Sequence, residues 1–338
     1  MMITIRDVAK KLGLSITTVS RALDGYADVA AETRELVVRT ARDMGYTPNR
    51  AARQLRRQRA EAIGYILPAD KPQFSDVFFS EFIAGLGDEA SLHNYELLVS
   101  SVSPGSDAEQ AIYRRWVQAG KIDGVILNRI RLRDWRVQYL NNQKKIPFVC
   151  LERSLDAYDF IGVESGSYSA MLELIAHLIE RGRTRIAYIG GSPELKIEFD
   201  RFAGYQAGLG AASIPGNPDW VVHCDLTPDG GYRAMQTLLC PDRLPQAVVC
   251  VNDATATGAM FAARDAGLEV GTDIAIAGFD GIVGSAYTQP PLTTLEQPVY
   301  AVARQLVRML VTLIAGEELP EKHVVIQPRL LLRASTGG

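Results

Sequence analysis

The chain has 338 residues, 47% hydrophobic and 22% charged, an ordinary globular composition with room for two or three cored domains. No apolar run of about 18 residues occurs, and Arg6, Asp7, Lys10 and Lys11 interrupt the N-terminal stretch, so neither a membrane span nor a secretory signal is expected. Cys150, Cys224, Cys240 and Cys250 lack CxxC spacing and His93, His177, His223 and His323 lie far apart, so the chain reads as a cytoplasmic protein with reduced thiols and no metal site.

The net charge of −3 is unevenly spread. Residues 1–60 hold 12 Lys and Arg against 6 Asp and Glu, net +6, leaving 24 basic and 33 acidic residues elsewhere, net −9. A basic head on an acidic body suits a polyanion that meets the head alone. Charge by itself does not separate this from a set of solvated Arg-rich helices.

Three short helices are legible in residues 1–48. Thr4 with Asp7 resembles a capping box ahead of Val8, Ala9 and Leu12, and Gly13 supplies the left-handed turn that ends the first helix. Ser15 can cap a second helix with Val19, Ala22 and Leu23 inward, ended by Asp24-Gly25. The third runs from about Ala31 to Met44, with Leu36, Val37, Thr40 and Met44 on its inner face and Gly45 as terminator. Helix, tight turn, helix is the pattern whose second helix enters the DNA major groove. On that helix Arg21 can pair bidentately with guanine, while Ile16 and Thr17 offer apolar or hydroxyl contact to bases. Thr18, Ser20, Thr33 and Asn49 suit phosphate oxygens, and Thr4 is counted with them. A trihelical protein-protein module is the bland alternative.

The segments "TIRDVAKKLGLSITTVSRALDG" and "ETRELVVRTARDMGYTPNRAARQLR" closely resemble the lactose repressor/galactose repressor family. The likeness continues through "IGGSPE", "DRFAGYQAGL", "VVCVNDATATGAMFAARDAGL", "IAIAGFDG" and "PPLTTLEQPVY", almost to the C-terminus. Ala30 departs from it, since the family usually has a capping Ser there, a loss of about 1 kcal/mol. The resemblance implies that residues 49–60, "NRAARQLRRQRA", form a hinge that turns helical on the operator, with Leu55 wedged into the minor groove and Arg53, Arg56, Arg57 and Arg59 on phosphates or groove edges. A disordered basic linker is the other reading.

Residues 61–338 alternate short apolar runs with amphipathic stretches. Strands are expected at 63–67, 96–100, 124–127, 148–151, 185–189, 247–251 and 274–277, and helices at 79–92, 108–119, 168–181, 201–212, 230–239, 254–266 and 300–314. This predicts an all-α helix-turn-helix head followed by an α/β body of two doubly wound parallel-sheet lobes, with a seam near Gly162–Ser165. The resemblance implies a periplasmic-binding-protein-like body of type I whose chain crosses between lobes near Val163, Leu295 and Ile326. Lobe one then comprises about 62–162 and 296–325, and lobe two about 163–295 and 327–335.

Ligands of open α/β sheets sit beyond the carboxyl ends of strands. Glu152, Asn252-Asp253 and Asp280 each follow a strand pattern, and Arg201 is expected to open a helix after "IGGSPE". These types suit a polyhydroxylated ligand, with Phe78 and Phe79 as an apolar wall. The resemblance implies effector contacts at Arg201, Asn252 and Asp280 and a pocket wall at Phe79. Asp76 stands for a frequent Asn, Glu152 for Asp, Leu226 for a stacking aromatic and Gly281 for a second Asp. The bland roles are a loop cap for Asp280, helix caps for Asn252 and above all Asp253, and surface pairing of Arg201 with Glu198 or Asp200. His177 reads as a packed helix residue.

The expected function is a DNA-binding transcription regulator, a repressor under allosteric control by a carbohydrate-like effector. The expected partners are a pseudo-palindromic double-stranded operator and a second copy of the chain. The resemblance implies a dimer over a tetramer, since "LLRASTGG" is not followed by the additional C-terminal helix that one branch of the family uses for tetramers, and the helix near Phe79 is expected to take part in the interface. A Glu152–Asp280 glycosidase pair would need a separation the sequence does not establish. A transport-type binding protein would need a signal peptide and no DNA head. Catalytic residues and cofactors are therefore not assigned.

Overall fold

The computed structural model describes residues 3–46, 59–69, 77–143, 146–155, 161–240 and 243–337. By internal contact the chain divides into residues 1–60 and 61–338.

The head contains α1 (Ile5–Leu12), α2 (Ile16–Leu23) and α3 (Ala31–Asp43) around buried Val8, Ala9, Val19, Ala22, Val29, Val37 and Ala41. Leu23 and Met44 pack partly against this core. Leu36, expected inside, is 41% exposed; Val37, Thr40 and Ala41 are the inward positions of α3, one residue later on the helical wheel. Gly13, at φ 65°, makes the tight turn between α1 and α2, a conformation that a Cβ would strain. Arg34 reaches back to the carbonyls of Tyr26 and Val29, at 2.9 and 3.2 Å, and ties down the connection into α3.

The body begins with β1 (Ala62–Pro68), α4 (Val77–Leu92), β2 (Glu96–Val102), α5 (Asp107–Gln118), β3 (Gly124–Leu127), α6 (Trp135–Gln143), β4 (Phe148–Leu151) and β5 (Gly162–Ser165). It continues with α7 (Ser167–Glu180), β6 (Ile186–Gly190), α8 (Lys196–Ala211), β7 (Val221–His223), α9 (Pro228–Leu238), β8 (Ala247–Cys250), α10 (Asp253–Asp265), β9 (Ala275–Asp280) and β10 (Thr293–Glu296). The last elements are α11 (Val299–Ala315), β11 (His323–Ile326) and β12 (Arg329–Leu331).

Two six-stranded sheets result, in the orders β11-β5-β4-β3-β1-β2 and β12-β10-β9-β8-β6-β7. All pairings are parallel except β10 with β12. Strands such as Gly124–Leu127 and Ala247–Cys250 are apolar on both faces because helices cover both faces of each sheet. In lobe one, α4 and α11 pack on one side, with Phe82, Leu86, Leu306 and Leu310 buried, and Tyr113 and Trp116 of α5 pack on the other. In lobe two, α7 and α8 pack on one face, and α9 and α10 on the other.

Residues 162–165, where the seam between lobes is expected, form strand β5, paired with β4 and β11, and the chain leaves the first sheet just after Ser165. One expectation is corrected. Arg201 does not open its helix: α8 starts at Lys196, and Arg201 lies in its second turn. The chain returns to the first lobe after β10 and leaves it again after β11.

Candidate functional site

In the head, α2 presents one face outward. The Ser15 Oγ accepts the Thr18 amide at 3.0 Å and shares a hydrogen bond with the Thr18 hydroxyl at 2.8 Å, so capping already engages both side chains. The Thr4 amide and hydroxyl both donate to Asp7, at 2.8 and 2.7 Å. Ile16 is 45% exposed, Thr17 is exposed, and Ser20 and Thr33 are half-buried. Arg21 lies against Asp28, with Nη2 to Oδ2 at 2.5 Å and Nε to Oδ1 at 3.2 Å, and its guanidinium sits 4.7 Å from the centre of the Tyr26 ring. An exposed pair of this kind is worth about 0–1 kcal/mol. A bidentate contact to guanine discriminates by about 1–3 kcal/mol, so the Asp28 pairing can be exchanged for a base. Asn49, Leu55 and Arg56, with Arg53 and Arg57, lie outside the described residues.

In the body, the carboxyl ends of strands from both lobes meet at one cavity of about 540 Å³. Phe78, Phe79, Glu152, Arg201, Leu226, Asn252 and Asp280 all line it, while Asp76 lies outside the described residues.

Glu152, directly after β4, is 2% exposed and left-handed at φ 75°. Its Oε1 accepts the Ser165 amide at 3.1 Å, and its Oε2 has no hydrogen-bond partner among the described residues. Burial pushes its carboxyl up to about 7, against the bonds from Ser165 and the charge of Lys196. A carboxyl raised in the folded state favours folding below its ordinary value near 4.5 and loses that contribution as pH rises through 7. The loss amounts to about 3 kcal/mol. Asp253, pushed up to about 8 by burial and by Asp280, acts in the same direction. Glu152→Gln is therefore expected to raise the melting temperature relative to wild type far more at pH 8 than at pH 5; equal differences at the two pH values would remove this assignment.

Arg201 is 3% exposed, so the surface pairing with Glu198 or Asp200 does not occur. Glu198 instead accepts from Tyr188 and the Gly191 amide, and Asp200 pairs with Lys196. Arg201 donates Nη1 to the Val251 carbonyl and Nη2 to Asp280 Oδ1 at 3.4 Å, with its guanidinium 3.6 Å from the centre of the Phe279 ring. Asp280, at φ 108°, also accepts from Gln297 Nε2 at 2.8 Å.

Asn252, not Asp253, caps α10: its Oδ1 accepts the Thr255 amide at 2.8 Å, and its Nδ2 faces the Leu226 carbonyl at 3.4 Å. Asp253 is the first helical residue, fully buried, and accepts from Thr294 Oγ1 at 2.5 Å and the Ile282 amide at 2.9 Å. Gly281 is left-handed at φ 71°, and a Cβ there would come within 2.5 Å of Glu296, so no side chain fits at this position. His177 packs on α7, with Nε2 3.3 Å from the Thr336 hydroxyl.

Asn128, Arg129, Ile197 and Gln297 also line the cavity and were not foreseen. Asn128 and Arg129 follow "GVIL" just as Glu152 follows "FVCL", so the strand-end rule could have found them. Arg129 lies 5.1 Å over the Phe79 ring. The site thus combines apolar walls with a buried carboxyl oxygen that lacks a partner among the described residues, an amide and a clamped guanidinium, which suits a ligand with an apolar face and several hydroxyls. Among the described residues no group of three His, Cys, Asp or Glu could hold a metal ion, and no helix is long and apolar enough to cross a membrane.

A trihelical DNA-reading unit on the same chain as a two-lobed binding body defines a ligand-controlled DNA-binding regulator. Comparisons agree. The family of bacterial regulatory proteins of the lacI type matches residues 4–49, and the periplasmic binding protein-like domain matches residues 175–336. The HTH-type transcriptional regulator AglR of Rhizobium meliloti is 35% identical over 344 residues, spanning 100% of this chain and 95% of the relative. The repressor CytR of Escherichia coli is 31% identical over 334 residues, 98% of this chain and 96% of the relative. Among solved structures, the Lac repressor dimer bound to operator and the anti-inducer ONPF superposes with a TM-score of 0.85 at 26% identity, covering 99% of both chains. The transcriptional regulator CelR in complex with cellobiose gives 0.75 at 27% identity, covering 98% of this chain and 99% of that one. The chain belongs to the LacI family of bacterial regulatory proteins and is a DNA-binding transcription regulator.

Proposed function

We propose that the chain is a cytoplasmic homodimeric repressor that grips a pseudo-palindromic operator with two heads and is controlled by a sugar or sugar derivative held between the lobes. The observation that carries the effector half is the cavity itself, lined by Glu152 from lobe one, whose buried Oε2 has no hydrogen-bond partner among the described residues, and by the hydrogen-bonded cluster of Arg201, Asp280 and Gln297. Similarity to the CelR–cellobiose complex supports the choice of ligand class, and similarity to the operator-bound Lac repressor dimer supports the assembly.

In this reading Arg21, Ile16 and Thr17 read bases, while Thr4, Thr18, Ser20, Thr33 and Asn49 meet phosphates. Leu55 and Arg56 serve the hinge in the minor groove. Ligand in the cavity changes the setting of the lobes, and with it whether both heads engage half-sites together. The test is a thermal-shift screen with glucose, maltose, trehalose, cellobiose and sugar acids. A binder raises the unfolding temperature by mass action. If no sugar shifts it while a ligand of another class does, the carbohydrate assignment falls and the regulator assignment stays.

A further inference from the structure

A buried charged cluster grips the chain just beyond β3. Arg136 of α6, 5% exposed, donates Nη2 to two main-chain carbonyls, Asn128 at 3.1 Å and Arg129 at 3.0 Å. The same guanidinium meets both oxygens of fully buried Asp134, Nε to Oδ1 at 2.9 Å and Nη2 to Oδ2 at 2.6 Å, with Glu109 Oε1 at 3.6 Å from Nη1. Asp134 also accepts the amides of Arg131 and Arg136, both at 3.0 Å. Burial pushes the Asp134 carboxyl up, but the hydrogen bonds and charge of Arg136 outweigh it and hold the carboxyl below its ordinary value. Between the gripped carbonyls and the capped amide, Arg129 stands at φ 47°, a left-handed conformation that a long side chain keeps only when its surroundings hold it.

The held segment faces two ways. Asn128 lies in the cavity wall, 4% exposed, and its Nδ2 lacks a hydrogen-bond partner among the described residues. Ile130–Leu132 forms an antiparallel bridge with Glu194–Lys196, the entrance to α8 in lobe two. Leu132 donates its amide to the Glu194 carbonyl at 2.8 Å, Lys196 donates to Ile130 at 2.9 Å, and Arg131 stands opposite Leu195. These bonds join the lobes away from the chain crossings, and α8 carries Arg201.

We infer that Arg136 is a positioning residue of the cleft: by fixing the main chain of Asn128–Leu132 it aims Asn128 into the cavity and holds the edge on which lobe two docks. The part played by Asn128 rests on the effector-pocket reading; the pairing between lobes stands without it.

Hydrogen exchange on the ligand-free full chain tests the inference. Arg136→Lys keeps a cation beside Asp134 but loses the planar fork that spans a carboxylate and two carbonyls. Amides of residues 128–132 and 194–197 should exchange about tenfold faster or more, while β8 and β9 keep wild-type protection. A second pair of variants addresses the bridge alone. Lys196 is the first residue of α8, where proline is tolerated, and Leu195 before it is already extended at φ −80° and ψ 134°. Lys196→Pro therefore removes the hydrogen bond to Ile130 without breaking the helix, and Lys196→Ala keeps that bond while removing the side chain. Faster exchange at residues 128–132 is expected in the proline variant only. Wild-type exchange in Arg136→Lys, loss spread evenly over β8 and β9, or identical behaviour of the two Lys196 variants each overturns the inference. Because no ligand is present, a failure of sugars to bind leaves these results untouched, and the two failures are told apart.

Discussion

Arg201→Ala is expected to abolish the response to effector while operator binding persists. The side chain is 3% exposed, links α8 to the Val251 carbonyl and Asp280, and has its guanidinium 3.6 Å from the centre of the Phe279 ring. A hydrogen bond from a charged group to a ligand hydroxyl contributes about 1.5–3 kcal/mol, so effector affinity should fall by about 10- to 150-fold. The body also loses stability, because Asp280 keeps Gln297 but loses its guanidinium; breaking a buried pair costs about 3–5 kcal/mol. Both effects can be followed separately: melting temperature reports the second, and the shift of that temperature by added sugar reports the first. Anisotropy titration of operator below the melting range should give wild-type affinity. A variant that melts lower but still responds to sugar at wild-type concentrations would make Arg201 a packing residue only.

The second large effect is expected at Arg21. Arg21→Ala should weaken specific operator binding by about 1–3 kcal/mol, roughly 5- to 150-fold, and relax preference at one base pair of each half-site. In the free head its partner is exposed Asp28, a pairing worth at most about 1 kcal/mol, so most of the base contact survives as net discrimination. Asp28→Ala should therefore leave specific binding near wild type or slightly stronger. Titrations against the operator, single-base variants and random duplex at one salt concentration check this. Equal losses on operator and random DNA from Arg21→Ala would reduce Arg21 to a phosphate contact.

The sequence displayed most of what strong local patterning can display. Runs such as Gly124–Leu127 and Phe148–Leu151, apolar on both faces, were read with their observed bounds. The strands that escaped are short and polar or lie at sheet edges. Thr293–Glu296 reads as two threonines and an acid around one leucine, and its threonines are buried only because Ser335, Arg333 and Asp253 supply their hydrogen bonds from distant segments. Gln297, which follows this strand, was missed for the same reason. Gly162–Ser165 is legible as the place of the seam but not as a strand, because a glycine and an acid dilute its apolar signal and its pairing with β11 joins residues about 160 positions apart, beyond any local window.

At the site, residue types after strand ends were legible, but their partners were not. The inward burial of Arg201, the choice of Asn252 over Asp253 as helix cap and the anchoring of Asn128 by Arg136 all depend on contacts between separate elements. Leu36 shows the converse: a position one residue off the helical stripe looked apolar enough to be core and is instead exposed.

Reciprocal titration of the full chain decides whether the cavity controls the heads. Operator affinity is measured with and without a saturating sugar taken from the thermal-shift screen, and sugar affinity with and without operator, all at one ionic strength. The chain should sediment as a dimer, prefer an inverted repeat to bulk DNA, and show the same factor of change in both directions. A monomer without inverted-repeat preference, or a sugar that binds tightly and leaves operator affinity unchanged, would overturn the coupling between pocket and head.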